Sequence, residues 1–364
     1  MSGGVDSSVS ALLLKQQGYQ VMGLFMKNWE EKDEQGKCRS SADYDDVRRV
    51  CDQIDIPFYG INFVEKYREE VFSCFLDDLK KGLTPNPDIL CNKAIKFGVF
   101  LNKAMELEGD FLATGHYAQI GLTEGHYTLL KGSDPLKDQS YFLHTLKESI
   151  LKKVLFPIGH LEKKQVREMA RSHQLATSEK KDSTGICFIG KRNFRQFIHG
   201  HLAFQPGPFK RLDGTLIGQH LGIAYYTLGQ RKGLGIGGMG DAWFVVGKDV
   251  NAGIVYIEQG ADHPALYADE LIADQLTWVN QPPGSLPFCC NAKIRYRQSD
   301  QFCKIESIEN GRARVSFQQP QRAITPGQSI VFYDNAVCLG GGVIQEAGPS
   351  YYLQGKPLPN TRHL

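Results

Sequence analysis

From the first residue to about 195, short apolar runs alternate with amphipathic stretches, the pattern of a parallel α/β sheet. The run Val9-Ser10-Ala11-Leu12-Leu13-Leu14 reads as a helix, residues 20–26 and 58–63 as strands, and 42–53 and 65–81 as helices, the last stopped by Gly82. Phe111-Leu112-Ala113-Thr114 is a further buried strand that ends at Gly115-His116-Tyr117. Ligands in such sheets lie beyond the carboxyl ends of the strands, which makes Met26, Gly115 and His116 candidates on topology alone. After Pro206 the pattern shifts to short strands and many glycines, and residues 229–238 are too glycine-rich for a helix or a long strand. From Leu271 onward, alternation at 292–297 and 312–317 predicts a small antiparallel β-barrel. The turns Glu309-Asn310-Gly311 and Thr325-Pro326-Gly327-Gln328 fit that prediction. We therefore expect a catalytic domain over 1–200, a central glycine-rich domain over 201–270, a barrel over 271–350 and a polar tail over 351–364.

Composition narrows this little. With 364 residues, 41% hydrophobic and 23% charged, the chain is an ordinary globular protein long enough for two or three cores. A net charge of +2 confines any nucleic-acid surface to local patches. No apolar run approaches the roughly 20 residues of a membrane span. Nine cysteines at uneven spacing, with no CxxC pair, argue against a zinc ribbon. They suit a reduced cytoplasmic setting, with most thiols acting as small buried hydrophobes.

The chemistry is concentrated in Ser2-Gly3-Gly4-Val5-Asp6-Ser7-Ser8. Two adjacent glycines let the backbone turn tightly and present successive N–H groups as a concave nest for anionic oxygens. Ser2, Ser7 and Ser8 add hydroxyl donors, and the following helix points its positive end at the nest. Without a lysine, and with different spacing, this is not the GxxxxGK[ST] loop. It resembles the SGGxDS pyrophosphate loop of the ATP-pyrophosphatases, which cleave ATP between the α and β phosphates to adenylate a substrate. The competing reading is a Gly-Ser turn that only caps a helix. A loop of this type follows a buried strand in the middle of the sheet. We therefore expect a truncated start, with a core slot and two strand edges left unpaired.

Two cysteines stand in suggestive company. In Thr84-Pro85-Asn86-Pro87-Asp88-Ile89-Leu90-Cys91-Asn92 the prolines fix a non-helical loop. If helical geometry begins at Asp88, its carboxylate and the Cys91 thiol share a face. That arrangement suits proton acceptance from the thiol, and equally a capping Asp beside a buried Cys. Cys187 lies between Gly185 and Gly190 and between the basic pairs Lys180-Lys181 and Lys191-Arg192, an environment that favours thiolate. The alternative is a strand cysteine flanked by solvated lysines.

Taken together, these segments resemble the tRNA-specific 2-thiouridylases, which place sulfur on carbon 2 of the wobble uridine. The agreeing stretches are 2–8, 24–29, 86–97, 113–117, 137–141, 183–190, 226–238 and 325–333, in order along nearly the whole chain. The resemblance implies an adenine-nucleotide α-hydrolase-like domain, a small central domain and a C-terminal β-barrel. It implies that Met1, Ser2, Gly3, Gly4, Val5, Asp6 and Ser7, with Met26 and Gly115, hold ATP. Asn86, Pro87 and Asp88 would contact the target base; His116, Lys137, Asp138, Gln139, Arg295, Tyr296 and Gln328 would contact tRNA. Cys187 would carry a persulfide and Cys91 would be its partner nucleophile, the pair ending as a disulfide. Mg²⁺ would offset phosphate charge, with Asp6 a direct or water-mediated contact. A sulfur-relay protein or cysteine desulfurase would recharge Cys187. Asp88 takes the Cys91 proton, positions the base or caps a helix, and Tyr296 stacks on a base or belongs to the barrel core.

Basic pairs at 152–153, 163–164, 180–181, 191–192, 210–211 and 231–232, with Arg295 and Arg297, would together track a tRNA backbone. Singly, each reads as a solvated face. Two rival functions keep the same loop: another adenylating enzyme, such as an amide synthetase or lysidine-type tRNA ligase, and a non-catalytic tRNA-binding protein. An iron–sulfur variant would need Cys38 or another ligand beside Cys91 and Cys187.

Overall fold

The computed structural model describes residues 1–30, 39–182, 194–202 and 204–359. Cys187 and its flanking glycines lie outside the described residues. The first helix, Val5–Gln16, begins directly after the glycine pair and buries Val5, Val9, Leu12 and Leu14. Val5, Val9 and Leu12 pack with Val50 and Ile54 of the helix region 39–54 and with Val166 and Ala170 of the helix Lys163–Ser172. Three parallel strands overlap the apolar runs that predict them and are slightly shorter; a fourth, Val154–Leu155, is not among those the pattern predicts. Gly23–Lys27 pairs with Phe58–Asn62, and Leu112–Ala113 pairs with Val154–Leu155. They form two two-stranded parallel pairs among the described residues.

Two long helical runs depart from α geometry. Between Val64 and Lys80 the segment Arg68–Phe72 is π-helical; between Pro87 and Glu106 the segment Cys91–Val99 is π-helical. The wider turns shift the faces that follow, so Cys91 and Ile95 join Tyr67, Val71 and Phe75 in one core, with Tyr226 and Val245 of the central domain.

The central strands Gly207–Lys210, Leu216–His220, Trp243–Asp249 and Ile254–Gln259 form a four-stranded sheet. The barrel is closed. Its strands are Tyr267–Trp278, Phe288–Lys293, Gln301–Glu309, Arg312–Arg322, Ser329–Asp334 and Val337–Ala347. The first of these pairs with both Arg312–Arg322 and Val337–Ala347, which leaves no free edge around the ring. The predicted turn at Asn310-Gly311 has positive φ at both residues (51° and 76°), as a tight hairpin requires. The strand expected over 292–297 instead ends at Lys293: Arg295 and Tyr296 leave the sheet, and Tyr296 packs on Phe142 with ring centroids 4.4 Å apart.

A hairpin that the apolar pattern did not predict, Ala118–Thr123 with His126–Lys131, extends the barrel sheet from the catalytic domain by pairing Leu129 and Leu130 with Cys338 and Val337. The junction continues at Tyr141, whose hydroxyl donates to Ser329 O at 2.8 Å, and at Ser140, 3.2 Å from Tyr333 Oη. His144 is buried in the same junction; its Nδ1–H donates to Tyr141 O at 2.8 Å. Burial lowers its pKa from 6.5 to about 4, against the opposing effect of that hydrogen bond.

The unfolded chain therefore binds the His144 proton more readily, and stability falls as pH drops from about 6.5 towards 4. Urea unfolding across that window should show His144→Gln losing part of the wild-type slope, up to about 1.4 kcal/mol per pH unit. Identical slopes would contradict the assignment.

Candidate active site

The phosphate loop is built as its residues require. Gly3 adopts φ +74°, and a Cβ there would lie 2.7 Å from Asp43 O. Gly4 caps the helix Val5–Gln16 in extended geometry, with no side chain on the first amides. Those N–H groups have no partner within the helix and are free to meet an anion. Ser2 and Ser7 converge, Oγ to Oγ at 3.1 Å, and the Ser2 amide donates to Ser7 Oγ at 3.1 Å. Ser8 does not join them: its hydroxyl is fully buried, donates to Gly4 O at 2.9 Å and accepts from Thr177 Oγ1 at 2.9 Å. Its work is to anchor the loop.

Gly115 meets this loop from the neighbouring strand end. A Cβ at Gly115 would lie 2.7 Å from Ser7 N and 2.8 Å from the Asp6 carbonyl carbon, so only glycine permits the approach. Met26 stands half-buried at the end of Gly23–Lys27, and the Met1 amine donates to Leu24 O at 2.6 Å. The Asp6 carboxylate has two partners on Oδ1, Lys163 Nζ at 2.6 Å and Tyr117 Oη at 2.8 Å. Lys163 also binds Asp182 Oδ1 at 2.9 Å; Arg167 reaches that oxygen at 2.6 Å and Lys137 reaches Oδ2 at 2.8 Å. Burial would raise the Asp182 pKa, but the hydrogen bonds and charges of Lys137 and Lys163 outweigh it and hold the carboxyl well below its usual range. Sequence reading places Lys163 only in a basic pair along a tRNA backbone and gives Asp182 no role. A Lys-Lys pair on an amphipathic helix looks solvated, and its acid partners are distant in sequence.

On the opposite side lies the Cys91 helix. Asn86, not Asp88, is its cap: Asn86 Oδ1 accepts from the Asp88 amide at 3.2 Å, and Pro87 opens the first turn. Asp88 therefore lies in the helix three residues before Cys91, the condition for a shared face. Cys91 is buried. Its neighbour Asn92 accepts from Lys96 Nζ at 2.8 Å, and Lys96 Nζ lies 3.2 Å from His116 Nε2. His116 is buried, with Nδ1 2.8 Å from Thr114 Oγ1. Burial and the Lys96 charge hold its imidazole well below the usual range, so it is neutral.

The residues expected to touch tRNA fall into two groups. Lys137, Asp138 and Gln139 lie beside Tyr296, whose hydroxyl donates to Lys137 O at 3.3 Å. Asp138 is buried, accepting from the Gly132 and Ser140 amides, and Gln139 Oε1 accepts from the Tyr117 amide at 3.0 Å. Arg295 donates to Ala323 O at 2.6 Å. Separately, Gln328 Nε2 donates to Thr84 O at 2.6 Å, two residues before Asn86. The basic pairs are more engaged than their sequence suggests. Lys180 binds Asp43 and Asp46, Arg211 binds Glu258, and Lys152 binds Glu148. Lys191-Arg192 lies outside the described residues.

The close approach at Gly115 gives a direct test. Gly115→Ala should force the loop backbone away and weaken ATP binding at least tenfold by isothermal titration. The barrel is remote from the clash, so its near-ultraviolet signal should persist. Unchanged affinity would show that the contact does not shape the nucleotide site.

Against known proteins, a family model described as tRNA methyl transferase HUP domain matches residues 1–191. One described as tRNA methyl transferase PRC-barrel domain matches 195–259, and one described as aminomethyltransferase beta-barrel domain matches 268–344. A tRNA-specific 2-thiouridylase MnmA of Protochlamydia amoebophila is 66% identical over 361 residues, covering 99% of this chain and 96% of that protein. The proteins of the same name from Alkaliphilus oremlandii and Halalkalibacterium halodurans are 56% and 55% identical over 348 and 344 residues. Those alignments cover 95% and 94% of this chain, and 96% and 93% of theirs. Identity of this order, sustained through all three parts of the fold, places the phosphate loop and the Cys91 helix in a known setting: the chain belongs to the tRNA-specific 2-thiouridylase MnmA family.

Proposed function

We infer that this chain uses ATP to replace the C2 oxygen of the wobble uridine of tRNA with sulfur. The observation that carries the reading is the meeting of an uncapped, serine-lined phosphate loop with the Cys91 helix through Gly115, His116 and Lys96. A nucleotide and a thiol chemistry share one site.

The uridine C2 oxygen is a poor leaving group, so it must first be activated. We assign the loop of Ser2, Gly3, Gly4, Val5, Asp6 and Ser7 to the pyrophosphate end of ATP, with Met1, Met26 and Gly115 completing the nucleotide site. O2 of the base bonds to the α-phosphorus as the bond to pyrophosphate breaks, and the N3 proton is lost to solvent. Among the described residues Asp6 Oδ2 makes no hydrogen bond, while Oδ1 is held by Lys163 and Tyr117. One carboxylate oxygen beside phosphates suits Mg²⁺, which keeps most of its ligands as water and phosphate oxygen. When bound, that ion would offset phosphate charge; Asp6 would hold it directly or through water.

The terminal sulfur of a Cys187 persulfide then bonds to C2, and AMP leaves with the electrons of the C2–O bond. The Cys91 thiolate attacks Cys187 Sγ, the sulfur–sulfur bond breaks towards the base, and N3 regains a proton as C2=S forms. A Cys91–Cys187 disulfide remains. An external thiol supplies two electrons to reopen it, and a sulfur-relay protein or cysteine desulfurase recharges Cys187. Asp88, in the turn before Cys91, is placed to position the base or accept the thiol proton, while Asn86 and Pro87 set the start of that helix. Lys137, Gln139, Arg295, Tyr296 and Gln328 border the approach for tRNA. His116 and Asp138, both buried, support it from behind.

The family models' descriptions speak of methyl transfer, but nothing in that reaction requires a pyrophosphate loop or two cysteines. Mass spectrometry of digested tRNA after incubation with ATP, Mg²⁺ and a sulfide source tests the reading. Wild type should yield 2-thiouridine, and Cys187→Ser and Cys91→Ser should each lower it at least 100-fold. Thiolation that survives Cys187→Ser would overturn the persulfide assignment. AMP release without thiolation would favour another adenylating enzyme.

A further inference from the structure

The helix that carries Cys91 also holds a cation with no counter-ion among the described residues. Lys96 is half-buried, and its two hydrogen-bond partners, Asn92 Oδ1 and His116 Nε2, are both neutral. No carboxylate lies within ion-pair distance of Lys96 among the described residues. Its neighbours in the site differ: Lys163 binds Asp6 and Asp182, Lys137 binds Asp182, and Lys180 binds Asp43 and Asp46.

Both partners are held in the orientation this cation needs. An ammonium only donates, so His116 Nε2 must accept and the ring proton sits on Nδ1, facing Thr114 Oγ1. Phe97 and Phe156 pack on the imidazole, with centroids 5.7 and 5.9 Å away. The Asn92 amide nitrogen donates to Phe142 O at 3.2 Å, which turns Oδ1 towards Lys96. Withdrawing an ammonium from water without a compensating charge is unfavourable. A fold that nonetheless fixes one with two oriented acceptors is prepared for an anion that arrives with the substrate.

The position of Lys96 says which anion. On one side, the residue before His116 is Gly115, in close contact with Asp6 and Ser7 of the phosphate loop. Burial lowers the Met1 amine to a pKa of about 6, and the Lys96 charge reaches far enough to add to that shift. On the other side, Cys91 and Lys96 are five residues apart within the π-helical segment Cys91–Val99. Hydrogen bonding from i to i+5 brings such positions towards one face, where an α-helix would set them about 140° apart. The cation therefore stands between the pyrophosphate loop and the thiol that acts at the base. One group is joined first to pyrophosphate and then to the base: the phosphate that stays with adenosine.

We propose that Lys96 binds the α-phosphate of ATP and of the adenylated base. It stabilises the charge that builds as pyrophosphate leaves and again as AMP departs from C2. Lys96 keeps its protons throughout and forms no bond; it acts as a preorganised charge. The proposal rests on the adenylation reading above.

The experiment uses the full chain carrying Lys96→Met and Lys96→Arg, titrated calorimetrically with AMP, α,β-methylene ATP and inorganic pyrophosphate. Pyrophosphate release on tRNA is followed in single turnover. Lys96→Met should weaken AMP and the analogue at least tenfold, leave pyrophosphate within twofold, and slow release by about 10²–10³-fold. Lys96→Arg should recover most of the nucleotide affinity. Lys96→Gln, which keeps a donor without the charge, repeats the comparison if the Met variant melts below the assay temperature. Wild-type AMP affinity in Lys96→Met would overturn the proposal. So would equal losses for AMP and pyrophosphate, the pattern of a lysine that only braces Asn92 and His116. Wild-type samples assayed for 2-thiouridine separate the two levels: selective nucleotide loss in a chain that does not thiolate tRNA would refute the reaction and leave Lys96 a phosphate ligand.

Discussion

One ammonium shared by two carboxylates ties this site together. Lys163 lies between Asp6 of the phosphate loop and Asp182, the residue after which the Cys187 segment begins. Arg167 and Lys137 close on the same Asp182 carboxylate. With Lys163 largely withdrawn from water, the pairing is far stronger than an exposed ion pair, and removing one member strands the others. The phosphate loop, Asp182 and Lys137 are thus fixed relative to one another by charge. No continuous sheet among the described residues does that work.

The base loop is fixed differently, by three hydrogen bonds at Thr84, two to the barrel and one to the central domain. Thr84 N donates to Pro326 O at 3.0 Å, Gln328 reaches Thr84 O, and Thr84 Oγ1 lies 3.3 Å from Thr227 Oγ1. Gly327 fits against Thr84 only because it lacks a Cβ. Barrel and central domain therefore both hold the chain just before Asn86-Pro87-Asp88. That explains why a catalytic domain of this kind carries two further domains: they set the entry to the helix that bears Cys91.

What the sequence revealed depended on how local each signal was. The glycine pair and its serines stood out because an anion nest demands small residues and hydroxyls, and Gly115 because it ends a buried strand; the structure packs Gly115 against Ser7 and Asp6. The Asn310-Gly311 turn and the closed barrel followed from alternation and turn chemistry. The π-helical insertion at Cys91–Val99 was not legible, because one wider turn leaves the apolar period nearly intact while moving Lys96 to a new face. The hairpin around Glu124-Gly125 was missed for a related reason: its turn signal is weak, and its partner strand lies some 200 residues away. Long-range ion pairs were illegible altogether. Lys163 and Lys180 read as solvated until Asp6, Asp182, Asp43 and Asp46 are set beside them.

The central claim is that sulfur passes through a Cys187 persulfide and leaves a Cys91–Cys187 disulfide behind. Its most direct test is peptide mapping of persulfide-charged protein after one turnover with ATP and tRNA, in the absence of oxygen and external thiols. The account predicts one Cys91–Cys187 cross-linked peptide for each 2-thiouridine formed. 2-Thiouridine accumulating while both cysteines remain open to alkylation would contradict it.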